Sequence, residues 1–412
     1  MSALSKILLD LGNEVRGADY PKKQFTEETM PQSIIVDTFD NILIKEDWFY
    51  IIGNAYKKFP LLDELKSRGF KFEYYPNFLE NFFNCKKIGI AGSHGKTTTT
   101  YFASKLIDKP INVLVGDGSG IGNKDAEYFL FEACEYQNTF LNYTYDYLVV
   151  LNIDYDHPDF FKNEKEYLFS FQKAVLNAKK LIINNDCENS MKILHKNKIT
   201  YGFSLQSDVV ISKIYNGVKI EFDDEFYIFD FPFYGDHLIY DFVASFIVAL
   251  LVNDDVESIY KNMGKLALPK RRFTECKINN FILINDYAHH PTEISAVFNA
   301  VKKKYLDKKI VCIFQPHTYS RASKFHEEFI DALNNADDVY IMPVFSSVRE
   351  VEKDEDIFLN LGNNFKKYYR DFYLNYVDCE CVILFLGAGD IDDEFHFLFK
   401  KLNYWKRFSY ML

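Results

Sequence analysis

No apolar run in this chain approaches membrane-spanning length, and no basic segment at the N-terminus leads into an apolar core. The sequence therefore predicts neither a helical anchor nor a secretory leader. Cysteine is scarce and scattered, seven in 412 residues, with Cys379 and Cys381 one residue apart rather than in a CxxC. That pattern predicts reduced thiols in a cytoplasmic protein, not a disulfide framework or a zinc site. Excess basic charge is also lacking: 48 basic against 59 acidic side chains give a net charge of -11, without a long basic run. A nucleic-acid surface is not expected, and an anionic substrate would need a local cluster of donors. The expected partners are small-molecule substrates, with no nucleic acid and no membrane, for a monomer or homodimer. Internal repeats and low-complexity linkers are missing too. The chain is too long for one ordinary core, so two or three domains are expected. Its 40 Phe and 29 Tyr form no motif, and a coding bias is enough to account for them.

What is present reads as α/β grammar. "SALSKILLDL" puts Leu4, Ile7, Leu8 and Leu11 on one helical face, and Gly12 can end that helix. "EVRGAD", "SIIVDT" and "FYIIGN" read as strands, and "PLLDELKSRG" as a helix stopped by Gly69. A second section opens with "KKIGIAGSHGKTTTTYFASKLI", and "AEYFLFEAC", "YDYLVVLNID" and "AKKLIINNDC" supply further strands. "VVISKIYNGVKIEFDDEFYIFDFP" alternates as antiparallel strands with turns at "NG" and "DDE". Past "LPKRRF" the alternation restarts with "FILINDYAHHP", "KKIVCIFQPH", "DDVYIMPVF" and "CVILFLGAGD". Three α/β regions are expected, 1–84, 85–271 and 272–412.

"GSHGKTTTT" carries the strongest chemistry. A strand feeding a glycine turn aims backbone N–H groups and the next helix's N-terminus at phosphate oxygens. Lys96 can reach the terminal phosphates, and the Thr97 hydroxyl can join a Mg²⁺ shell. A strict phosphate loop would place glycine at Ile90; the spacing here is Gly92-x-x-Gly95-Lys96-Thr97. A chance GKT in an ordinary turn competes, but the apolar strand before it favours nucleotide binding.

Glu132 ends one strand and His157 follows another, where ligands gather in parallel sheets, and together they could hold Mg²⁺ or orient a γ-phosphate. A lone glutamate at a strand end is more often a solvated turn residue, and Glu135, Asp154 and Asp156 are rivals for the same roles. In "NDYAHHPTE", adjacent histidines seldom chelate one ion, so His289 and His290 suit a substrate loop better than a metal site. In "FQPHTYSR", His317 and Arg321 follow a strand, and Arg321 could clamp a carboxylate or phosphate; a surface salt bridge is the plain competitor. "LPKRRF" is either a solvated face or a cationic clamp at a domain junction.

Taken in order, "SALSKILLDLGNEVRGAD", "GIAGSHGKTTTT", "GDGSGIG", "FEACEY", "NIDYDHPD", "YGDH", "KRRF", "DYAHHPTEI", "FQPHTYSR" and "GAGDI" resemble the Mur ligase family, and most closely its alanine-adding branch. The resemblance implies three domains: a Rossmann-like domain for the UDP-sugar, a central P-loop ATPase and a Rossmann-like C-terminal domain for the amino acid. It implies ATP and Mg²⁺, and ligation of L-alanine to the lactyl carboxylate of UDP-N-acetylmuramate through an acyl phosphate. On these grounds Lys96, Glu132, His157 and Arg272 are expected to be catalytic. Gly92, Ser93, His94, Gly95, Lys96, Thr97, Thr98, Asp241, Arg272 and Asp286 are expected at ATP, with Asp286 near the ribose. Thr97 and Glu132 would hold one Mg²⁺ and His157 a second. Ser2, Asp19, His289, His290, His317 and Arg321 are expected at the substrates, His290 and Arg321 near the alanine carboxylate.

Two departures qualify the expectation. Asp241 stands where the family usually has an adenine-reading asparagine, and an ionised carboxylate cannot donate to N7. Met1 stands where the methionine of a "GIxGxGMSAL" motif would be, so the strand and glycines that would serve the UDP pyrophosphate are missing from the chain as given, through a misassigned start or a real loss. Weak UDP-sugar binding with ATP binding retained is the expectation for the chain as given. The alternatives are another amide ligase of the family, such as one recycling murein peptides, and a degenerate nucleotide-binding relative.

Overall fold

The computed structural model describes residues 1–19, 30–57, 59–345 and 364–409. Contacts divide the chain into two units. The first is Met1–Tyr155, Lys162–Pro232 and Ile239–Ala267; the second is Asp156–Phe161, Phe233–Leu238 and Leu268–Leu412.

In the first unit, α1 (Ser2–Asp10) buries Ala3, Leu4, Ile7 and Leu8 on one face. Gly12, at φ +90°, follows its end. Strand β1 (Arg16–Asp19) pairs in parallel with β2 (Ile35–Thr38), and β3 (Tyr50–Ile52) with β4 (Phe72–Tyr74). Helix α2 (Leu61–Ser67) stops before Gly69, whose φ of +70° suits glycine, and α3 (Tyr75–Phe82) follows β4.

The main sheet has ten strands: β5 (Lys86–Ala91), β6 (Ile111–Leu114), β7 (Gly120–Ile121), β8 (Tyr128–Glu132), β9 (Tyr145–Val150), β10 (Ala178–Asn184), β11 (Lys198–Gly202), β12 (Val209–Ile214), β13 (Gly217–Phe222) and β14 (Glu225–Asp230). Their order is β14-β13-β12-β11-β10-β9-β5-β8-β6-β7. Pairing is parallel from β12 through to β6, and antiparallel at β12–β13, β13–β14 and β6–β7. The expected antiparallel hairpins are there, with Asn216 at φ +56° and Asp223 and Asp224 at +55° and +62° in their turns. Asparagine and aspartate tolerate this left-handed region better than other non-glycine residues.

Helices α4 (Lys96–Leu106) and α7 (Asp236–Val252) share one hydroxyl: Ser245 Oγ lies 2.9 Å from Thr99 O and 2.7 Å from Asp241 O. From Phe242 to Ala249, α7 is buried all round, which explains its nearly unbroken apolar sequence. Helices α5 (Glu164–Val175, N-capped by Asn163), α6 (Glu188–Met191) and α8 (Glu257–Asn262) complete this unit.

The glycines of "GDGSGIG" have a packing role. A Cβ on Gly120 would overlap Ala3 O, and one on Gly122 would overlap Ile7 O, so the backbone of α1 rests directly on β7.

The second unit has a six-stranded sheet of order β15-β16-β20-β17-β18-β19. These are β15 (Thr274–Ile278), β16 (Phe281–Asp286), β17 (Lys309–Phe314), β18 (Asp338–Ile341), β19 (Phe365–Lys367) and β20 (Cys381–Leu386). Among the described residues, only the β15–β16 pair of this sheet is antiparallel. Helices α9 (Pro291–Lys304), α10 (Tyr319–Lys324), α11 (His326–Leu333) and α12 (Ile391–Ser409) belong to it. Leu283, Val311, Ile313, Ile383 and Phe385 form its fully buried centre. The fold is α/β with parallel-rich sheets, as expected. All seven cysteines are free thiols. Among the described residues, no helix is long and apolar enough to cross a membrane.

Candidate active site

The first unit gathers its chemistry at the carboxyl ends of three adjacent strands. Ile90 of β5 pairs with Glu132 of β8, and Ala91 with Val150 of β9, so Glu132 lies level with the turn that follows β5. That turn needs its glycines. Gly92 sits at φ +143°, where a Cβ would press on Leu151 and the Asn152 backbone. Gly95, at φ +85°, starts α4 with no side-chain cap, and a Cβ there would overlap the Asp241 carboxylate. An uncapped helix start after a glycine turn leaves backbone N–H groups to meet an anion.

Ser93 and His94 brace the turn. Ser93 Oγ donates to Asp154 O (2.7 Å), accepts from Asp154 N (2.9 Å) and lies 2.8 Å from the Tyr167 hydroxyl. His94 N donates to Asn152 Oδ1 (2.9 Å), and its Nε2 is 3.0 Å from Asp154 Oδ2. Thr98 is buried within α4, while Thr97 is partly exposed in its first turn.

Lys96 Nζ donates to Gly92 O, Ser93 O (3.1 Å) and Glu135 Oε1 (3.1 Å). Burial alone would lower its pKa, but Glu135, with Cys134 and Glu132 around it, raises it above the ordinary lysine value. The ammonium is therefore charged and held over the turn. Glu132 accepts from the Gly116 backbone N–H, which ties "GDGSG" to the end of β8.

The second unit holds the segment Asp156–Phe161. His157 is left-handed at φ +57°, and its imidazole nitrogens are 3.9 Å from the Asp156 and Asp159 carboxylates. Arg321, expected at a substrate with a salt bridge as the competing reading, makes a bidentate ion pair within the protein: Nε to Asp156 Oδ1 is 2.9 Å and Nη2 to Oδ2 is 3.0 Å, both residues buried. Arg321 Nη1 is 3.3 Å from His317 Nδ1. The three rivals of Glu132 thus have distinct partners: Glu135 meets Lys96, Asp154 meets His94 and Asp156 meets Arg321.

His289 and His290 diverge. His289 Nδ1 lies 3.1 Å from Glu293 Oε2, and its ring is 5.7 Å from that of His317. Burial lowers its pKa, against the pull of Glu293. His290 caps α9 through Thr292 N and Glu293 and packs on Phe325 at 5.0 Å, so it serves the helix start.

The arginines of "KRRF" also separate. Arg271 is buried at φ +58° and donates Nη2 to Gly387 O (2.8 Å) and Gly389 O (3.0 Å), pinning the "GAGD" turn. Arg272 Nη1 is 3.7 Å from Glu293 Oε1, and its guanidinium lies 5.1 Å from the Tyr287 ring centre. Asp286, expected near a ribose, spends its carboxylate on Phe273 N (2.7 Å) and Ala288 N (2.8 Å), and burial raises its pKa. Asp286 and His290 thus carry scaffold bonds that sequence reading did not anticipate, as do Glu135, Asp156, Arg271 and Glu293.

Ser2 begins α1 and Asp19 ends β1, where Tyr56 donates to the Asp19 carboxylate (2.5 Å).

Residues 90–249 match the Mur ligase middle domain, and residues 271–370 the Mur ligase, glutamate ligase domain. A UDP-N-acetylmuramate–L-alanine ligase from Lactobacillus delbrueckii subsp. bulgaricus is 36% identical over 416 residues, covering 95% of this chain and 93% of the relative. The solved UDP-N-acetylmuramate–alanine ligase of Thermotoga maritima superposes with a TM-score of 0.78 at 20% identity, over 98% of this chain and 96% of that one. The Thermotoga maritima MurF ligase in complex with ADP has the same fold at a TM-score of 0.64 and 16% identity, over 94% and 96%. By sequence and by fold, the chain belongs to the Mur ligase family.

Proposed function

We propose that this protein joins L-alanine to the lactyl carboxylate of UDP-N-acetylmuramate at the expense of ATP. The observation that carries the reading is the near full-length, 36% identity to a ligase of that name. The charged Lys96 held over an open glycine turn supports it. In this reading, residues 1–84 receive the UDP-sugar, 85–271 the ATP and 272–412 the amino acid.

The lactyl carboxylate attacks the γ-phosphorus of ATP, giving an acyl phosphate and ADP. The alanine amine then attacks the acyl carbon; phosphate leaves, the amine loses a proton, and an amide remains. The first step brings two anions together, so cationic side chains must supply much of the stabilisation. Lys96 neutralises the β,γ-phosphates from the turn, where the α4 N–H groups add their dipoles. Arg272 contributes a second cation. Thr97 and Glu132 offer hydroxyl and carboxylate oxygens, the donor chemistry that Mg²⁺ takes, and His157 is proposed for a second ion. Bound Mg²⁺ would neutralise phosphate charge.

The test is phosphate release from ATP with UDP-N-acetylmuramate and either L-alanine or the L-Ala-γ-D-Glu-diaminopimelate tripeptide. Release with alanine is expected. Release with tripeptide alone would assign the chain to murein peptide recycling, and release with neither to a non-catalytic relative.

A further inference from the structure

Asp156 does more than balance one cation. It is buried, and its single carboxylate accepts three N–H groups: Nε and Nη2 of Arg321, and the backbone N–H of His157 at 2.7 Å on Oδ1. The first two bonds form the planar fork that a guanidinium and a carboxylate make best, fixing Arg321 in rotation as well as in place. They use one edge of the guanidinium and leave the Nη1 end beside His317 Nδ1. His317 in turn lies between the rings of Phe345 and His289, each 5.7 Å away. The third bond supports a histidine in the left-handed region, which non-glycine residues hold only where surrounding bonds impose it.

We propose that Asp156 is a positioning residue for the ligation: one carboxylate orients Arg321 toward the carboxylate of the incoming amino acid and fixes the turn that aims His157. The proposal rests on the ligase reading above. Because Asp156 offsets the charge of Arg321, recognition at the Nη1 end depends on direction more than on net charge. A misdirected guanidinium should therefore weaken amino-acid binding even with its charge intact.

The test is steady-state phosphate release by the full chain, with alanine, ATP and Mg²⁺ each varied in turn. Asp156→Asn keeps the shape and one acceptor but cannot take the fork. It should raise the KM for alanine at least ten-fold and raise the half-saturating Mg²⁺ concentration, with the KM for ATP within about two-fold. Arg321→Lys should raise the alanine KM similarly, and the double variant should lose little beyond either single one. An alanine KM within two-fold of the parent in Asp156→Asn would overturn the proposal, as would losses that multiply in the double variant. If Asp156→Asn does not fold, judged by loss of ADP-induced thermal stabilisation, Asp156→Glu retains the charge while displacing the fork and carries the same expectation. A parent protein that releases no phosphate with alanine would refute the ligase reading itself. An active parent with an indifferent Asp156→Asn would refute only the positioning role.

Discussion

Lys96 Nζ lies 3.0 Å from Glu135 Oε2, and the carboxylate is only 1% exposed. A buried pair of this kind is weak as a source of stability but costly to break from one side. Glu135→Gln should destabilise the nucleotide-free protein by roughly 3 kcal/mol, because it strands the lysine charge. A phosphate can replace the lost anion, so ADP should raise the Tm of this variant more than that of the parent. Thermal unfolding with and without ADP reads both effects.

Asp241 is buried, with its carboxylate against Gly95 at the start of α4. A carboxylate there repels an approaching phosphate and cannot donate to a purine N7. Asp241→Asn should lower the KM for ATP by about five- to ten-fold, the worth of one hydrogen bond. Steady-state kinetics with ATP and GTP compared would also show whether the aspartate alters purine choice.

Gly120 lets the α1 backbone rest on β7. Gly120→Ala would force a Cβ against Ala3 O, at a cost of about 1–3 kcal/mol for overpacking. Urea unfolding should show that loss. Calorimetry should show weaker UDP-N-acetylmuramate binding with ADP binding preserved.

His237 has its pKa lowered to about 4, first by burial and then by the nearby Arg272. Its folded pKa lies below its unfolded value of 6.5, so the unfolded chain takes up the proton first as pH falls. The stability that neutral His237 supports is complete above pH 6.5 and declines toward pH 4, by at most about 3 kcal/mol. Urea unfolding between pH 7.5 and 4.5 should show this slope in the parent and a shallower one in His237→Gln.

The phosphate turn was legible because all its parts are local. A buried strand, two glycines at left-handed or open φ, and a lysine opening a helix lie within a dozen residues, and backbone sterics alone demand that spacing. The β12–β14 hairpins were legible for the same reason, from "NG" and "DDE" between alternating strands. Strand β15 was not, because its edge position leaves it mostly exposed and without an apolar pattern.

The carboxylates show where sequence stops. Glu132 ends a strand and Glu135, Asp154 and Asp156 follow strands, and nothing local ranks them. The strand order puts Glu132 level with the turn, and packing sets Glu135 on Lys96, Asp154 on His94 and Asp156 on Arg321. Likewise Arg271 and Arg272 are neighbours of one chemistry, yet Arg271 donates to the Gly387 and Gly389 carbonyls, more than a hundred residues away, while Arg272 lies 3.7 Å from Glu293. Residue types and short-range spacing determined the α/β order and the glycine turn that opens on Lys96, while the reaction was read from a resemblance. Which charge meets which partner was decided by long-range pairing, because an ion's partner is set by burial and distance in three dimensions.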